Sequence, residues 1–369
     1  MSSKYQIVAD ESMPGVDKLF GDIANITYIN GRKITNSALI ESRADALLCR
    51  SITKVNQSLL KNTPVKFVGT ATIGTDHLDS NWLNKNAIQW SNAAGCNAAA
   101  VAQYVLSAVS YWCLEKNKSL TELTVGIVGA GNVGTELSRC LSYLGVKFLL
   151  CDPPLNDAGD PRQFVSLSAI MQCDVVTLHV PLTLEGPHKT QYLMGAKELA
   201  LLHNNQLLIN ASRGAVINNH ELEQYLPSAN SAQVILDVFE DEPNISATLL
   251  SMCLLSTPHI AGHTLEGKLR GSWMVYQAFC RCFSVDIQYQ ESFLYPEKNQ
   301  LNKPAHDLEN LLIQLYDIRL DSNSLKTIPN EHLAEQFDQL RKNATQLASG
   351  ITRRDYSGWL LPQAVAGLA

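Results

Sequence analysis

Short apolar runs alternate with polar or glycine-containing stretches along the first part of the chain. The runs are QIVAD (6–10), ITYIN (26–30), ALLCR (46–50) and KFVGT (66–70). Runs of this length between turn residues are typical of β-strands. Because helical patterns separate them, they predict a small α/β domain with a largely parallel sheet.

A stronger series of apolar runs begins at residue 124. Its members are TVGIVGA, VKFLLCD, DVVTLHV, QLLINAS, AQVILDV and MCLLSTP. They are mostly apolar on both faces, which is typical of parallel strands covered by helices. The alanine-rich residues 97–114 predict a buried helix that joins two domains. Residues 265–283 predict a helix that returns to the first domain.

The patterns divide the chain into three parts. We expect one domain over residues 1–97 and 260–290, and a second over residues 98–259. The remaining residues, 291–369, have helical and strand-like pieces of their own and predict a small α+β domain. The predicted fold class is therefore α/β, with two doubly wound (Rossmann-like) domains and this C-terminal addition.

Composition narrows the functional classes. The chain has 369 residues, 17% of them charged, and a formal charge of −6, which argues against nucleic-acid or anionic-membrane binding. No apolar run is long enough to cross a bilayer, and the N-terminus is acidic where a signal peptide is apolar. Nine dispersed cysteines indicate reduced thiols in a buried core. We therefore expect a cytoplasmic protein.

The segment GIVGAGNVG contains glycines at the spacing of a dinucleotide-binding loop. Alone this pattern is weak, but here it follows a predicted strand and precedes a predicted helix. Gly129 would allow a tight turn, Gly131 would let a pyrophosphate approach the backbone, and Gly134 would permit close packing. The helix N-terminus would attract the diphosphate. The predicted cofactor loop also includes Asn132 and Val133.

The next predicted strand, VKFLLCD, ends in Asp152 at about the spacing expected for an acidic ribose ligand. A carboxylate there accepts hydrogen bonds from ribose hydroxyls and repels a 2′-phosphate, which favours NAD over NADP. The alternative is that Asp152 caps a helix or turn before Pro153.

Three later residues have side chains suited to proton and hydride chemistry. Arg213 follows a predicted strand, where a guanidinium could bind a carboxylate; the alternative is a surface salt bridge. Glu242 precedes Pro243, and the alternative is a solvated acidic turn. His259 could accept a hydroxyl proton because histidine titrates near neutral pH; the alternative is a satisfied core histidine.

His259 and His263 are four residues apart, a spacing that zinc ligands on a helix also have. A helix would be needed to bring the two rings together, and Pro258 and Gly262 argue against one. No metal is expected.

Six segments together resemble the D-isomer-specific 2-hydroxyacid dehydrogenases. They are GIVGAGNVG, the aspartate of CDP, HVPLT, INASRGAVIN, DVFEDEP and TPHIAGH, in the family's order. The resemblance implies NAD-dependent oxidation of a 2-hydroxy acid, in which Arg213, Glu242 and His259 are catalytic. It also implies that residues 98–259 bind NAD and that the first domain binds substrate. Further implied cofactor contacts are Val180, Ala211, Ser212, Arg213, Asp237 and Gly262.

A narrower resemblance concerns one subfamily, which oxidises a phosphorylated 2-hydroxy acid in vitamin B6 synthesis. It rests on ADESMPG, RSITKVN, KFVGTATIGTDHLD, GCNAAAVAQYV, LLCDPP and HIAGHTLEGKLRG. It implies substrate contacts at Arg50, Ser51, Thr72 and His263, although loop capping is an alternative for the first three. LYDIRLD and FDQLRKN imply that residues 291–369 form a dimerisation domain and that the protein is a homodimer.

Two positions depart from this subfamily. His263 stands where a tyrosine is usual, so its charge would vary near neutral pH. Val180 stands where a threonine is frequent, although its backbone could still contact the cofactor. Two other functions stay open: oxidation of another D-2-hydroxy acid, such as 3-phosphoglycerate or glycerate, and NAD sensing without catalysis.

Overall fold

The computed structural model describes residues 4–294 and 307–344. Its strands are β1 (Tyr5–Asp10), β2 (Ala24–Ile29), β3 (Ala46–Cys49), β4 (Phe67–Thr70), β5 (Gln89–Asn92), β6 (Thr124–Val128), β7 (Lys147–Cys151), β8 (Val175–Leu178), β9 (Leu207–Asn210), β10 (Gln233–Leu236) and β11 (Leu255–Ser256).

The α-helices are α1 (Val16–Phe20), α2 (Asn36–Glu41), α3 (Gln57–Leu60), α4 (Ser80–Lys85), α5 (Ala98–Lys116), α6 (Asn132–Tyr143), α7 (Pro153–Asp157), α8 (Leu167–Ile170), α9 (Ala196–Leu199), α10 (Asn219–Tyr225), α11 (Ala247–Met252), α12 (Leu265–Phe283), α13 (Leu308–Leu315), α14 (Ile318–Lys326) and α15 (Leu333–Asn343). Short 3-10 helices cover Gly31–Lys33, Leu120–Glu122, Gly214–Val216, Glu291–Leu294 and Asn330–His332.

The chain folds into two compact units. The first runs up to Asn97 and resumes at Leu265, and the second runs from Ala98 to Thr264 and includes the described C-terminal helices. The chain therefore returns to the first unit after Thr264, whereas the sequence pattern predicted this return after residue 259. The functional roles of the units stay predictions.

The first unit contains a five-stranded parallel sheet in the order β2-β1-β3-β4-β5. Four of its strands coincide with the predicted apolar runs. The fifth, β5, was missed because its sequence, QWSN, is polar and lies at the sheet edge. Helix α12 was predicted over the residues that it occupies, and its buried aromatic face packs against the sheet.

The second unit contains a six-stranded parallel sheet in the order β11-β10-β9-β8-β6-β7. All six predicted strands are present, so the prediction of two parallel-sheet α/β units is confirmed. Helix α5 is buried on most of its surface, and Trp112 donates from Nε1 to Gln233 Oε1 at 2.8 Å. The α6 and α10 helices begin just after the turns that follow β6 and β9.

Two pieces of the predicted C-terminal domain (291–369) are described. The short 3-10 helix Glu291–Leu294 clusters with the first unit, whereas residues 307–344 are helical and cluster with the second unit. Helix α13 packs on α5, where Ser107 Oγ donates to the carbonyl oxygen of Tyr316 at 2.6 Å. Strand-like pieces were predicted for this segment, but residues 307–344 contain none. The remaining residues of the prediction lie outside the described part, and dimerisation stays a prediction.

The cysteines are all free, and eight of the nine are buried, which confirms the expectation of core thiols. Among the described residues, no helix has both the length and the apolar character needed to span a membrane.

Candidate active site

The glycine loop lies between β6 and α6, and its three glycines have different environments. Gly129 has φ 93°, and a Cβ there would lie 2.7 Å from the backbone of His179. A Cβ on Gly134 would lie 2.0 Å from the carbonyl oxygen of Gly129. A Cβ on Gly131 would meet no atom within 4 Å, and this residue caps α6 without a side-chain hydrogen bond. The open space and free helix N-terminus suit a bound diphosphate.

Alanine substitutions should separate these roles. Gly131→Ala should fold normally but weaken NAD binding roughly tenfold or more, because the methyl group would occupy the space open to the diphosphate. Gly134→Ala should instead lower the free energy of unfolding by about 2–3 kcal/mol, because the neighbouring atom is backbone. Thermal unfolding measures the change in stability of each variant, and NADH fluorescence titration measures the change in its cofactor affinity. Equal destabilisation by the two variants would contradict these assignments.

Asp152 has the capping role that was the alternative to ribose binding, and it also contacts the glycine loop. Its Oδ1 accepts from the backbone N–H of Leu155 at 3.1 Å, so the residue caps α7. Its Oδ2 accepts from the N–H of Ala130 at 2.8 Å, which ties it to the glycine loop. Each carboxylate oxygen has a further lone pair. Contact with a ribose therefore stays a prediction that is compatible with the cap.

Arg162 holds the glycine loop through hydrogen bonds, a role that the sequence did not reveal. Its Nη1 donates to Ala130 O at 2.9 Å and to Thr135 Oγ1 at 2.8 Å. Its Nε and Nη2 donate to the two oxygens of Asp160, each at 2.8 Å. Ala130 is therefore held from both sides, at its N–H by Asp152 and at its carbonyl by Arg162. An arginine so far from the motif carries no local sequence signal.

Arg213 lies on a turn after β9 that is organised by the buried amide of Asn210. The amide donates to Arg213 O at 2.9 Å and accepts from Ser212 N at 3.1 Å and Ser212 Oγ at 2.7 Å. The Arg213 side chain is exposed, and its Nη1 donates to Ser212 O at 2.7 Å. No salt bridge to Arg213 is found among the described residues. The guanidinium can therefore bind an anion.

Asp237, at the carboxyl end of β10, is buried and anchors the loop that carries His259. Its Oδ1 accepts from Thr257 Oγ1 at 2.7 Å and from Ile260 N at 2.8 Å, and its Oδ2 accepts from Ala261 N at 2.9 Å. Burial raises the pKa of Asp237, an effect that the nearby His259 opposes. The sequence resemblance assigned this residue to the cofactor, and that contact stays a prediction. Its anchoring role was not predicted.

Glu242 and His259 form a close pair. The distance between Glu242 Oε2 and His259 Nδ1 is 2.7 Å, and both side chains are partly exposed. Glu242 Oε1 also accepts from the N–H of Phe239 at 2.9 Å, which fixes the carboxylate. Because an ionised carboxylate only accepts hydrogen bonds, Nδ1 carries a proton. In the neutral ring Nε2 is then the acceptor, as a general base requires.

The loop after β11 also holds the other predicted residues of this region. His259 has φ 54°, and its N–H donates to Asp237 O at 2.7 Å. The ring centroids of His259 and His263 are 6.4 Å apart at an interplanar angle of 75°. His263 is therefore close enough to share a ligand with His259, although its substrate contact stays a prediction. Gly262 lies between them and is half-buried.

Two further predicted cofactor residues line the second sheet. Val180 follows β8, and its Cγ1 lies 2.9 Å from an ideal Cβ at Gly129. Ala211 follows β9 and is half-buried against the core. The predicted residues of this unit therefore follow the carboxyl ends of β6 to β11, the edge at which parallel sheets bind ligands.

The predicted substrate residues Arg50 and Ser51 belong to the first unit and follow β3. Ser51 is exposed and Arg50 half-buried. Burial, and secondarily the charge of Arg50, lowers the pKa of Lys268 to about 8. Lys268 is thus a second cation near Arg50, and the sequence did not single it out. Such a pair suits an anionic group.

Thr72, after β4, is held by a directed chain of hydrogen bonds. Its hydroxyl donates to Gly74 O at 3.0 Å and lies 2.8 Å from Thr70 Oγ1, which lies 2.9 Å from His77 Nε2. Since Thr72 has one proton, Thr70 must donate to it and His77 to Thr70. Thr72 can therefore accept a further hydrogen bond from a ligand hydroxyl. Its substrate contact stays a prediction.

Comparisons with known proteins agree with this geometry. Residues 106–261 match the family described as D-isomer specific 2-hydroxyacid dehydrogenase, NAD binding domain. The erythronate-4-phosphate dehydrogenase of Marinobacter nauticus is 45% identical over 91% of each chain. That of Photorhabdus laumondii is 43% identical over 95% of this chain and 93% of its own.

Solved structures show the same fold at lower identity. The NAD⁺-bound 3-phosphoglycerate dehydrogenase of Entamoeba histolytica is 21% identical, with a TM-score of 0.60 over 78% of this chain and 98% of its own. The D-lactate dehydrogenase of Aquifex aeolicus, complexed with NAD and lactic acid, is 21% identical, with a TM-score of 0.53 over 75% and 95%. The resemblance seen in the sequence is confirmed, and the chain belongs to the erythronate-4-phosphate dehydrogenase family of D-isomer-specific 2-hydroxyacid dehydrogenases.

Proposed function

We propose that this protein oxidises 4-phospho-D-erythronate at C2 to (R)-3-hydroxy-2-oxo-4-phosphobutanoate, with NAD as the cofactor, in vitamin B6 synthesis. The observation that carries the proposal is the 2.7 Å pair of Glu242 and His259, on the same sheet edge as the exposed guanidinium of Arg213. The relatives' names support the choice of substrate.

The cofactor fits the residues that are present. The space at Gly131 is one that a Cβ would fill, and the uncapped start of α6 lies beside it. Asp152 has lone pairs left for ribose hydroxyls. When bound, NAD supplies the acceptor for the hydride that leaves C2 with its electron pair.

The protein's own groups bind the substrate and move the proton. Arg213 binds the carboxylate of the substrate and polarises the neighbouring C2 oxygen. His259 Nε2 accepts the proton of the C2 hydroxyl as the C–O bond becomes a carbonyl. Glu242 keeps Nδ1 protonated and stabilises the imidazolium that forms. The overall change is loss of one hydride and one proton from the substrate.

We assign recognition of the phosphate to the first unit. Arg50 and Lys268 supply two neighbouring positive charges there, and Thr72 offers an acceptor to a substrate hydroxyl. Glycerate lacks the phosphate and would not use the two cations. 3-Phosphoglycerate is shorter by one carbon, which changes the span between its carboxylate and phosphate.

The test is the rate of NADH formation with 4-phospho-D-erythronate, D-3-phosphoglycerate and D-glycerate as substrates, with a trap for the 2-oxo acid. We expect the highest kcat/KM for phosphoerythronate with NAD, and a lower value with NADP because Asp152 repels its extra phosphate. A preference for another acid would exclude the proposed substrate while keeping a dehydrogenase. NAD binding without turnover of any of the acids would indicate a sensor.

We further propose a cytoplasmic homodimer that assembles through the C-terminal segment. The free, buried cysteines are compatible with a reducing compartment, and the sequence resemblance supports dimerisation. Light scattering coupled to size-exclusion chromatography should give twice the chain mass. A monomer at micromolar concentration would contradict the proposal.

A further inference from the structure

Helix α14 covers the outer edge of the sheet at β11, the strand that leads to His259. β11 is the edge strand and contains only two residues. The N–H of Ser256 donates to Ser322 Oγ of α14 at 3.0 Å, in a fully buried contact. Lys326 of the same helix donates to the carbonyl oxygen of Cys253 and, at 3.4 Å, to that of Leu254. The strand is thus held by side chains of the C-terminal segment.

Helix α15 supports the turn that carries Glu242. The buried ring of Phe337 packs edge-on against Phe239, with ring centroids 6.4 Å apart and an interplanar angle of 81°. Phe239 is the residue whose N–H donates to Glu242 Oε1. Displacement of Phe337 would therefore move Phe239, and the hydrogen bond from the Phe239 N–H would shift the Glu242 carboxylate with it.

A third set of contacts links the C-terminal segment to Asp237, the residue that anchors the His259 loop. The ring of Tyr316 lies 6.2 Å from that of Tyr104. The Tyr104 hydroxyl lies 2.7 Å from Thr257 Oγ1, which donates to Asp237 Oδ1 at 2.7 Å. Asp237 in turn accepts from the N–H groups that follow His259.

We infer that the C-terminal helices hold the Glu242–His259 pair in its working geometry, and that Ser322 and Phe337 are positioning residues for the reaction. The contacts that carry this role all lie within one chain. It rests on the proposed function, in which the pair handles the substrate proton. Misplacement of a catalytic group by about 1 Å can cost on the order of 10²-fold in rate, so modest shifts of β11 would be visible.

Ser322→Ala tests this inference, and Ser324→Ala is the matched control. Ser324 lies on the same helix, is half-buried, and donates within that helix to Leu320 O at 2.8 Å. We expect Ser322→Ala to lower kcat roughly tenfold, with the Kd for NADH within about twofold and the dimer intact. Ser322→Thr keeps the acceptor oxygen and should restore most of the rate. Ser324→Ala should match the parent protein.

Phe337→Leu provides a second variant that keeps an apolar side chain at the site. It should lower kcat and alter the pH profile of kcat/KM, because Glu242 would hold His259 less firmly. An unchanged kcat in both Ser322→Ala and Phe337→Leu would overturn the inference. A loss of kcat that is matched by loss of NADH binding and not restored by Ser322→Thr would overturn it as well, since that pattern indicates general destabilisation.

A His259→Ala variant assayed in parallel separates this inference from the proposed function. If His259→Ala loses turnover while Ser322→Ala and Phe337→Leu keep it, only the positioning role fails. If His259→Ala keeps turnover, the proposed function fails and the inference that rests on it fails too.

Discussion

Replacing His259 with alanine is expected to lower kcat by on the order of 10²- to 10⁴-fold, the usual contribution of a general base. The imidazole is held by Glu242 at 2.7 Å on Nδ1, so Nε2 is the free acceptor in the neutral ring. Removal of the ring leaves no side chain of this kind in the same position. The Kd for NADH should change little, because the glycine loop is remote from this substitution in the sheet order.

Two further histidine variants make this prediction specific. His220→Ala is the control, since His220 lies on α10 and bonds only to exposed Gln224. It should leave kcat unchanged. His263→Ala removes the neighbouring ring, whose centroid lies 6.4 Å from that of His259, and should mainly raise KM. If His263→Ala abolished turnover while His259→Ala did not, the proton acceptor would be His263 instead.

Gly214→Ala is expected to damage both stability and catalysis. A Cβ on Gly214 would lie 1.9 Å from Phe239 O, 2.0 Å from Phe239 C and 2.5 Å from Glu240 N. These atoms are backbone, so the turn after β9 and the Glu242 turn must separate. We expect the free energy of unfolding to fall by about 3 kcal/mol and kcat to fall by roughly 10²-fold as the carboxylate moves.

Gly159→Ala is a suitable control because its Cβ would meet nothing within 4 Å. Its φ of 77° makes an alanine there strained, at a cost of about 1–2 kcal/mol, without contact to the catalytic loops. Thermal unfolding and steady-state kinetics should therefore show stability loss alone for Gly159→Ala and both losses for Gly214→Ala. Full activity of folded Gly214→Ala would show that the two turns can separate without harm.

Periodicity and motif order were sufficient to establish the two parallel sheets and the main catalytic candidates. Apolar runs predicted ten of the eleven strands in residues 4–294 and 307–344, because burial on both faces leaves a strong local signal. The glycine spacing likewise reports backbone geometry that few other residues can adopt. The polar edge strand β5 leaves no such signal and was missed.

The sequence by itself thus determined the fold class, the family and the identity of Arg213, Glu242 and His259 as candidates. Only the tertiary structure decided how they are held. Asn210 organises the Arg213 turn, Asp237 anchors the His259 loop, and Ser322 reaches β11 from 66 residues along the chain. Hydrogen bonds between residues so far apart follow from packing, whereas periodicity and spacing record only local environment.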